Sequence, residues 1–386
     1  MNDKFIPLAV PNIKGNEIKY VTEVLEKEWV STAGSKIEEF EKNITEYVNS
    51  KGAVACQSGT AGLHLALKYY GLDENDMVIV PTLTFIAAVN PVKYEKAQAI
   101  FMDCDDSLCM DPIKLKRFLD KECTKTQGKT IFNRNGKAIK AIVVVHIFGN
   151  MADMESIMEI ATEYEIPVIE DATEALGTYY THGKYKGKYA GTIGDIGVYS
   201  FNGNKIMTTG GGGMIVSNDL KKLDKIRYWS TQSKDDAIYY IHNDIGYNYR
   251  MTNVQAAIGV AQLERLEEFI EVKRRNYLRY KEAIDKMEGV SILEFRKGIR
   301  TNYWFYSLVI DTKKFNRDKV IEIFSVNKIQ TRPIWGLVSE QIPYKNEFKY
   351  DVSCAYNYYN KIINLPCSTN LTTEDVDIVI NVLKTL

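Results

Sequence analysis

Ser200-Phe201-Asn202-Gly203-Asn204-Lys205 is the stretch on which the reading of this chain turns. It follows the apolar run Gly197 to Tyr199 and leads into the glycine run Gly210 to Gly213. A short apolar run closed by small and polar residues reads as a buried strand ending in a loop. Upstream, Pro167 to Ile169 ends the same way in Glu170-Asp171-Ala172. Two strand ends thus offer an amine, Lys205, and a carboxylate, Asp171. A lysine can condense with an aldehyde, and a carboxylate can hold the protonated nitrogen of a heterocycle. Together they are what pyridoxal phosphate (PLP) chemistry requires. A lysine must lose a proton to be nucleophilic, and apolar surroundings favour that. Phe201, Ile206 and Met207 flank Lys205. Asp171 could instead cap the following helix. Its neighbour Glu170 lies on the opposite side of the strand.

Further apolar, β-branched runs lie at Ala53 to Cys56, Met77 to Val80, Ala99 to Met102, Ala141 to Val145 and Met214 to Val216. Most lack alternation, as strands covered on both faces do. Helical periods separate them, including Gly62 to Tyr70 and Met154 to Tyr164. The pattern predicts an α/β domain with a mostly parallel sheet. Near residue 250 it changes. Thr252-Asn253-Val254-Gln255 reads as a capping box opening a long helix that runs past Arg265. Beyond lies a smaller lobe, with strands expected at Tyr303 to Ile310 and Ile329 to Thr331. The expected division is a large domain over 1–250 and a smaller α+β domain over 251–386. Thr124 to Lys140 reads as a surface loop or hairpin.

Other stretches also carry chemistry. Gln57-Ser58-Gly59-Thr60-Ala61 follows a strand and opens a helix, where free amides and the helix dipole favour a phosphate. A plain helix cap is the other reading. Phe85, in Pro81-Thr82-Leu83-Thr84-Phe85, could stack on a flat ring or simply belong to the core. Ser200 could donate to the same phosphate. Gly246-Tyr247-Asn248-Tyr249-Arg250-Met251-Thr252 suits either polar-ligand recognition or a packed interface. Lys184, Lys186 and Lys188 form a basic loop that either contacts a pyrophosphate or is solvated. Arg332 is a further bidentate anion reader.

Bulk properties set the outer limits. The 386 residues allow a large core and two lobes. Lys+Arg 49 against Asp+Glu 50 leaves nothing to attract nucleic acid or an acidic membrane. The six cysteines show no zinc spacing, and no metal site is expected. Met1 to Pro11 lacks the pattern of a signal peptide, and no apolar run reaches the roughly 20 residues of a membrane span. The expected location is the cytoplasm.

Taken together, these motifs resemble the DegT/DnrJ/EryC1/StrS family of sugar-nucleotide aminotransferases. The likeness covers Val30-Ser31-Thr32-Ala33-Gly34, Ser58-Gly59-Thr60-Ala61, Pro81 to Phe85, Glu170-Asp171-Ala172, Ser200 to Lys205 and Asn248-Tyr249-Arg250-Met251-Thr252. It implies PLP-dependent fold type I, the aspartate-aminotransferase-like architecture, with PLP or its amine form as cofactor. It implies Lys205 as the Schiff-base lysine, Asp171 at the pyridine nitrogen and Phe85 on the ring. Ser58, Gly59, Thr60, Ala61 and Ser200 would surround the phosphate. Asn248 would reach that phosphate from the other subunit of a homodimer. Glu174 stands near the cofactor where many relatives carry Gln or His, and Gly210-Gly211-Gly212-Gly213 stands for Gly-Glu-Gly-Gly. Lys184, Lys186, Tyr249, Arg250 and Arg332 are the substrate-binding candidates.

The fuller pattern is similar to the LegC/PglE subgroup. It implies transfer of an amino group from L-glutamate to C4 of a UDP-linked 4-keto-6-deoxy-N-acetylhexosamine, on routes to legionaminic acid or bacillosamine in surface glycans. The rival readings are a C3 aminotransferase on a dTDP- or UDP-linked keto sugar, a regulatory protein that binds PLP without turnover, and a plain nucleotide-binding domain.

Overall fold

The apolar runs form one large sheet in the computed structural model, which describes residues 4–236 and 238–386. Met1, Asn2 and Asp3 of the Met1–Pro11 segment lie outside the described residues. Along its main path the 10-stranded sheet runs Gly52–Cys56, Gly213–Ser217, Ile196–Ser200, Val168–Asp171, Ala138–Val145, Asp76–Pro81, Gln98–Met102, Phe348–Tyr350. Pairing is parallel from Ile196–Ser200 onward. Gly213–Ser217 runs antiparallel to both its neighbours. Gly52–Cys56 therefore points the same way as the parallel strands. Asp76–Pro81, Val168–Asp171 and Gly213–Ser217 are buried throughout, which is why their sequences do not alternate. The Thr124–Lys140 region is a hairpin of Cys123–Thr126 with Lys129–Phe132, joined to the sheet by one pairing at Ala138, where the interior strand Ala138–Val145 begins.

Shared polarity gathers five strand ends on one side. The loops after Cys56, Pro81, Val145, Asp171 and Ser200 all open there, the side on which open α/β sheets bind ligands.

The second sheet has four antiparallel strands, in the order Val290–Ile292, Tyr306–Ile310, Ile362–Leu365, Arg332–Pro333. We propose that the two lobes part near residue 250, with Phe348–Tyr350 returning to pair with Gln98–Met102 of the larger sheet. The capping box is present with both its bonds at Thr252 and Gln255.

Three expectations need correction. The long helix is two helices, Asn253–Leu263 and Leu266–Ile284, because Arg265 leaves helical geometry at φ −113° and ψ 5°. Helical periodicity continues across such a break and so does not reveal it. The strand expected from Tyr303 begins at Tyr306, since Tyr303 turns the chain with φ +54°. The strand expected at Ile329 to Thr331 lies at Arg332–Pro333, while Ile329 bridges Ile6 instead.

Candidate active site

The five strand ends meet around a cavity of about 360 Å³. The sheet side supplies Ser58, Gly59, Thr60, Phe85, Asp171, Glu174, Ser200 and Lys205, eight of the residues singled out from sequence. The smaller lobe closes it with Trp304, Phe305 and Trp335.

One end of the cavity suits an anion. The helix Gly59–Tyr69 starts there, and its first-turn amides have no intrahelical acceptor. Ser58 Oγ accepts from the Ala61 amide at 3.1 Å, so Ser58 both caps the helix and keeps a hydroxyl proton to donate. Ala61 itself contributes this backbone bond and does not line the cavity. A Cβ on Gly59 would sit 2.9 Å from Thr173 Cγ2 and 3.0 Å from Ser200 Cβ. Only glycine lets these three segments converge. The result is a cradle of amides and hydroxyls at a helix N-terminus, which matches a phosphate.

The middle of the cavity suits a cationic ring. Asp171 is 4 % exposed, and its carboxylate accepts the Thr173 amide at 3.1 Å. Burial pushes its carboxyl up from the usual range, while Thr173 and the charge of Lys205 pull the other way. A buried carboxylate bonded by its own chain only at Thr173 is costly unless a charged donor meets it. A protonated ring nitrogen is such a donor. Glu170 is occupied on the other side of its strand. It accepts from Gly191 and Ile193 amides at 2.8 and 2.7 Å, from the Gly194 amide, and from His146 Nε2 at 2.8 Å. His146 Nδ1 accepts the Ala152 amide at 3.2 Å, which places the ring proton on Nε2. Phe85 is 52 % exposed and faces the cavity, its ring 6.0 Å from that of Trp335, and it could stack on a flat ring there.

The far wall holds Lys205. Its Nζ lies 3.6 Å from Glu174 Oε1 and 4.3 Å from the centre of the Trp304 ring. Trp304 Nε1 donates to the Asn204 carbonyl at 2.8 Å, which fixes the indole over the amine. Buried Lys273 donates to the Trp304 carbonyl at 3.0 Å and to the Cys367 carbonyl at 2.5 Å, tying that wall to the helix Leu266–Ile284. Glu174 Oε2 accepts the Phe148 amide at 2.8 Å. Burial pushes the Glu174 carboxyl up to about 7, against the pull of Lys205.

Other predicted residues lie elsewhere. Asn248 is exposed, and its backbone bridges Thr231. The Tyr249 backbone carbonyl accepts the Gln57 amide at 2.8 Å, and its hydroxyl meets His64 Nδ1 at 3.2 Å. The Arg250 guanidinium is taken up by Glu41 at 2.7 Å. Lys184 and Lys186 sit on an exposed loop whose Lys184 amide is held by Glu155. Arg332 is exposed beside the Trp335 wall. None of the six lines the cavity. Trp304 and Trp335 escaped the sequence reading. Four tryptophans in the chain, one of them in Asn302-Tyr303-Trp304-Phe305, were the available signal. Nothing local links that run to Lys205.

The arrangement fits PLP: an anion cradle, a buried acid and an amine around one flat space. The DegT/DnrJ/EryC1/StrS aminotransferase family model matches residues 11–384. The chain is 38% identical to a GDP-perosamine synthase of Escherichia coli O157:H7, over 97% of this chain and 96% of the relative. It is 37% identical to EpsN of Bacillus subtilis, over 98% and 95%. The solved structure of the aminotransferase TlmJ from Streptoalloteichus hindustanus superposes with a TM-score of 0.88 at 24% identity, covering 98% of each chain. The architecture is PLP-dependent fold type I, as the sequence resemblance implied. Among the described residues, no helix is long and apolar enough to cross a membrane, and no His/Cys/Asp/Glu cluster is arranged to hold a metal.

Proposed function

This chain belongs to the DegT/DnrJ/EryC1/StrS aminotransferase family, and from that premise we propose that it moves an amino group from L-glutamate to the C4 ketone of a UDP-linked 4-keto-6-deoxy-N-acetylhexosamine. Membership makes it a PLP-dependent sugar-nucleotide transaminase. The nucleotide, the sugar and the position of amination are the parts proposed. Legionaminic acid or bacillosamine-type glycans are the proposed destination.

The observation that carries the mechanism is the joining of Lys205, Asp171 and the Gly59 cradle in one cavity. PLP, when bound, supplies an electron sink that carries the amino group between the two substrates. The chain supplies the rest. The amides of Gly59 and Thr60 and the hydroxyls of Ser58, Thr60 and Ser200 would hold the phosphate. Asp171 would keep the ring nitrogen protonated, and Phe85 would cover one ring face. The neutral Lys205 amine takes the proton from the donor's α-carbon and returns one to C4 of the sugar, setting its stereochemistry. Trp304 and Trp335 exclude water from that side.

Asn248 lies outside the cavity of its own chain and is exposed, which supports a homodimer in which it completes the phosphate site of a second copy. The substrate candidates Lys184, Lys186, Tyr249, Arg250 and Arg332 are proposed on the same footing.

A second reading has a specific support. A GDP-perosamine synthase stands at 38% identity over nearly the whole chain, which favours a GDP-linked keto sugar. The UDP-4-amino-4,6-dideoxy-N-acetyl-β-L-altrosamine transaminase of Campylobacter jejuni stands at 27%. The deciding experiment offers purified enzyme and L-glutamate three acceptors in parallel: UDP-linked 4-keto-6-deoxy-N-acetylglucosamine, a GDP-linked 4-keto-6-deoxyhexose and a dTDP-linked 3-keto sugar. Mass analysis should find the amino sugar from the first. Amination of the GDP sugar alone replaces the first reading by the second, and amination of the 3-keto sugar alone overturns both.

A further inference from the structure

Two carboxylates face the cavity, and a bound ring nitrogen would use one, Asp171. Glu174 is the other. Its two oxygens are in different situations. Oε2 is held by the Phe148 amide at 2.8 Å, at a turn where Phe148 has φ +56°. Oε1 faces Lys205 Nζ at 3.6 Å. The residue is 4 % exposed, so its orientation is imposed by the fold. Its own carbonyl accepts Asn302 Nδ2 at 2.9 Å, and Asn302 Oδ1 accepts the Trp304 amide at 2.9 Å. The same asparagine thus sets both groups that touch the Lys205 amine.

Resting on the transaminase reading, we infer that Glu174 is a positioning residue that shares one proton with the Lys205 amine. When the lysine side chain closes the 3.6 Å gap to hydrogen-bond reach, the proton passes from the Nζ ammonium to Oε1, leaving a neutral amine beside a neutral carboxylic acid, and passes back when the amine recharges. No other reactant is needed. An anionic Glu174 holds Lys205 charged and idle, and a protonated Glu174 leaves it free to attack or to remove a proton.

The surrounding charges agree. Burial raises the Glu174 carboxyl to about 7, Asp171 on the same strand end adds to the rise, and Lys205 opposes it. Glu174 can therefore hold or release a proton near neutral pH while it faces the Lys205 amine. His146 lies beyond Asp171, its ring committed to Glu170 and the Ala152 amide. From the smaller lobe the Trp304 ring stands 4.3 Å from Nζ, and the Lys273 amine behind it is spent on two carbonyls. No further acid or base faces the pair from that side among the described residues.

The test uses cofactor-free full-length protein. Wild type, Glu174→Gln and Glu174→Asp are pulse-labelled with 2,4,6-trinitrobenzenesulfonate across a pH series. Labelling at Lys205 is read by peptide mass spectrometry, with exposed Lys184 as internal reference. Gln preserves the acceptor for the Phe148 amide but cannot take a proton. Half-maximal labelling of Lys205 should fall by about one pH unit in Glu174→Gln, about a tenfold gain at fixed pH below the midpoint. Glu174→Asp, with a shorter reach, should fall between. A Lys205 profile that coincides with wild type in both variants overturns the inference and leaves Glu174 a holder of the Phe148 turn. If Glu174→Gln does not fold, the Asp variant carries the same decision. Wild-type protein loaded with PLP and reduced with borohydride forms the separate arm. Failure to fix the cofactor at Lys205 there sinks the transaminase mechanism, whatever the labelling profiles do.

Discussion

Replacing Asp171 by asparagine keeps the shape of the side chain, yet the site loses the charge that its burial makes so effective. The Thr173 bond can survive, because an amide oxygen accepts as a carboxylate does. What is lost is the ability to pair a protonated ring nitrogen. We expect Asp171→Asn to retain part of its cofactor while single-turnover proton transfer slows roughly 100-fold or more, the scale seen when one preorganised electrostatic group is removed from a buried site. Stopped-flow absorbance measures it, and equal rates would remove Asp171 from its proposed role. Asp171 and Lys205 were legible in the sequence because each follows a recognisable buried strand. Glu174 was visible as an acid near them, but not its meeting with Lys205. A 3.6 Å approach across a loop is a tertiary fact.

At the scale of elements, the helix Asn253–Leu263 shows how closely the parts are fitted. Gly259 faces Phe40 of the helix Ser35–Tyr47, and a Cβ there would lie 2.6 Å from the ring atom Cζ. Phe40 is wholly buried and packs 5.0 Å from the Phe201 ring at the start of the Lys205 loop. The ring has nowhere to retreat. Gly259→Ala should therefore destabilise despite the better helix propensity of alanine, by about 1–3 kcal/mol for overpacking. Chemical denaturation checks this, and a gain in stability would show that the helices can part. The capping box at Thr252 was readable because it is local, with both partners within one turn. The break at Arg265 was not, because the apolar period runs on through Leu266, Phe269 and Ile270 and neither proline nor glycine stands beside Arg265 to mark it.

At the scale of the molecule, residues distant in sequence are stitched into one body. Glu347, just before the strand Phe348–Tyr350, accepts the Ala99 amide at 3.0 Å and pairs with Lys93. Asp103, wholly buried, accepts the amides of Cys354 and Ala355 at 2.9 and 2.8 Å and meets Lys114 at 2.5 Å. The C-terminal third is thereby anchored at the edge of the large sheet. The proposed homodimer makes its own demand on whole molecules. Lys205→Ala and Asn248→Ala chains should each be poorly active alone, the first without measurable turnover. Mixed under subunit-exchange conditions they should recover about a quarter of wild-type activity, because half of the random dimers are mixed and each of those has one complete site. Activity of the mixture no greater than the average of the two variants would exclude a site shared between copies.

The chain's order of apolar runs, its caps and its glycine turns determined by themselves a mostly parallel sheet with loops opening at the strand ends. They also marked Lys205, Asp171 and the Gly59 cradle, since each signal lies within a few residues of the element that positions it. Only the tertiary structure decided that Trp304 covers the Lys205 amine, that Glu174 faces it, and that Arg250 is spent on Glu41. It also decided that Phe348–Tyr350 joins the large sheet. Those outcomes depend on distances between segments far apart in the chain, fixed by close packing and by the need of buried charges to find partners, and neither constraint leaves a periodic trace in sequence.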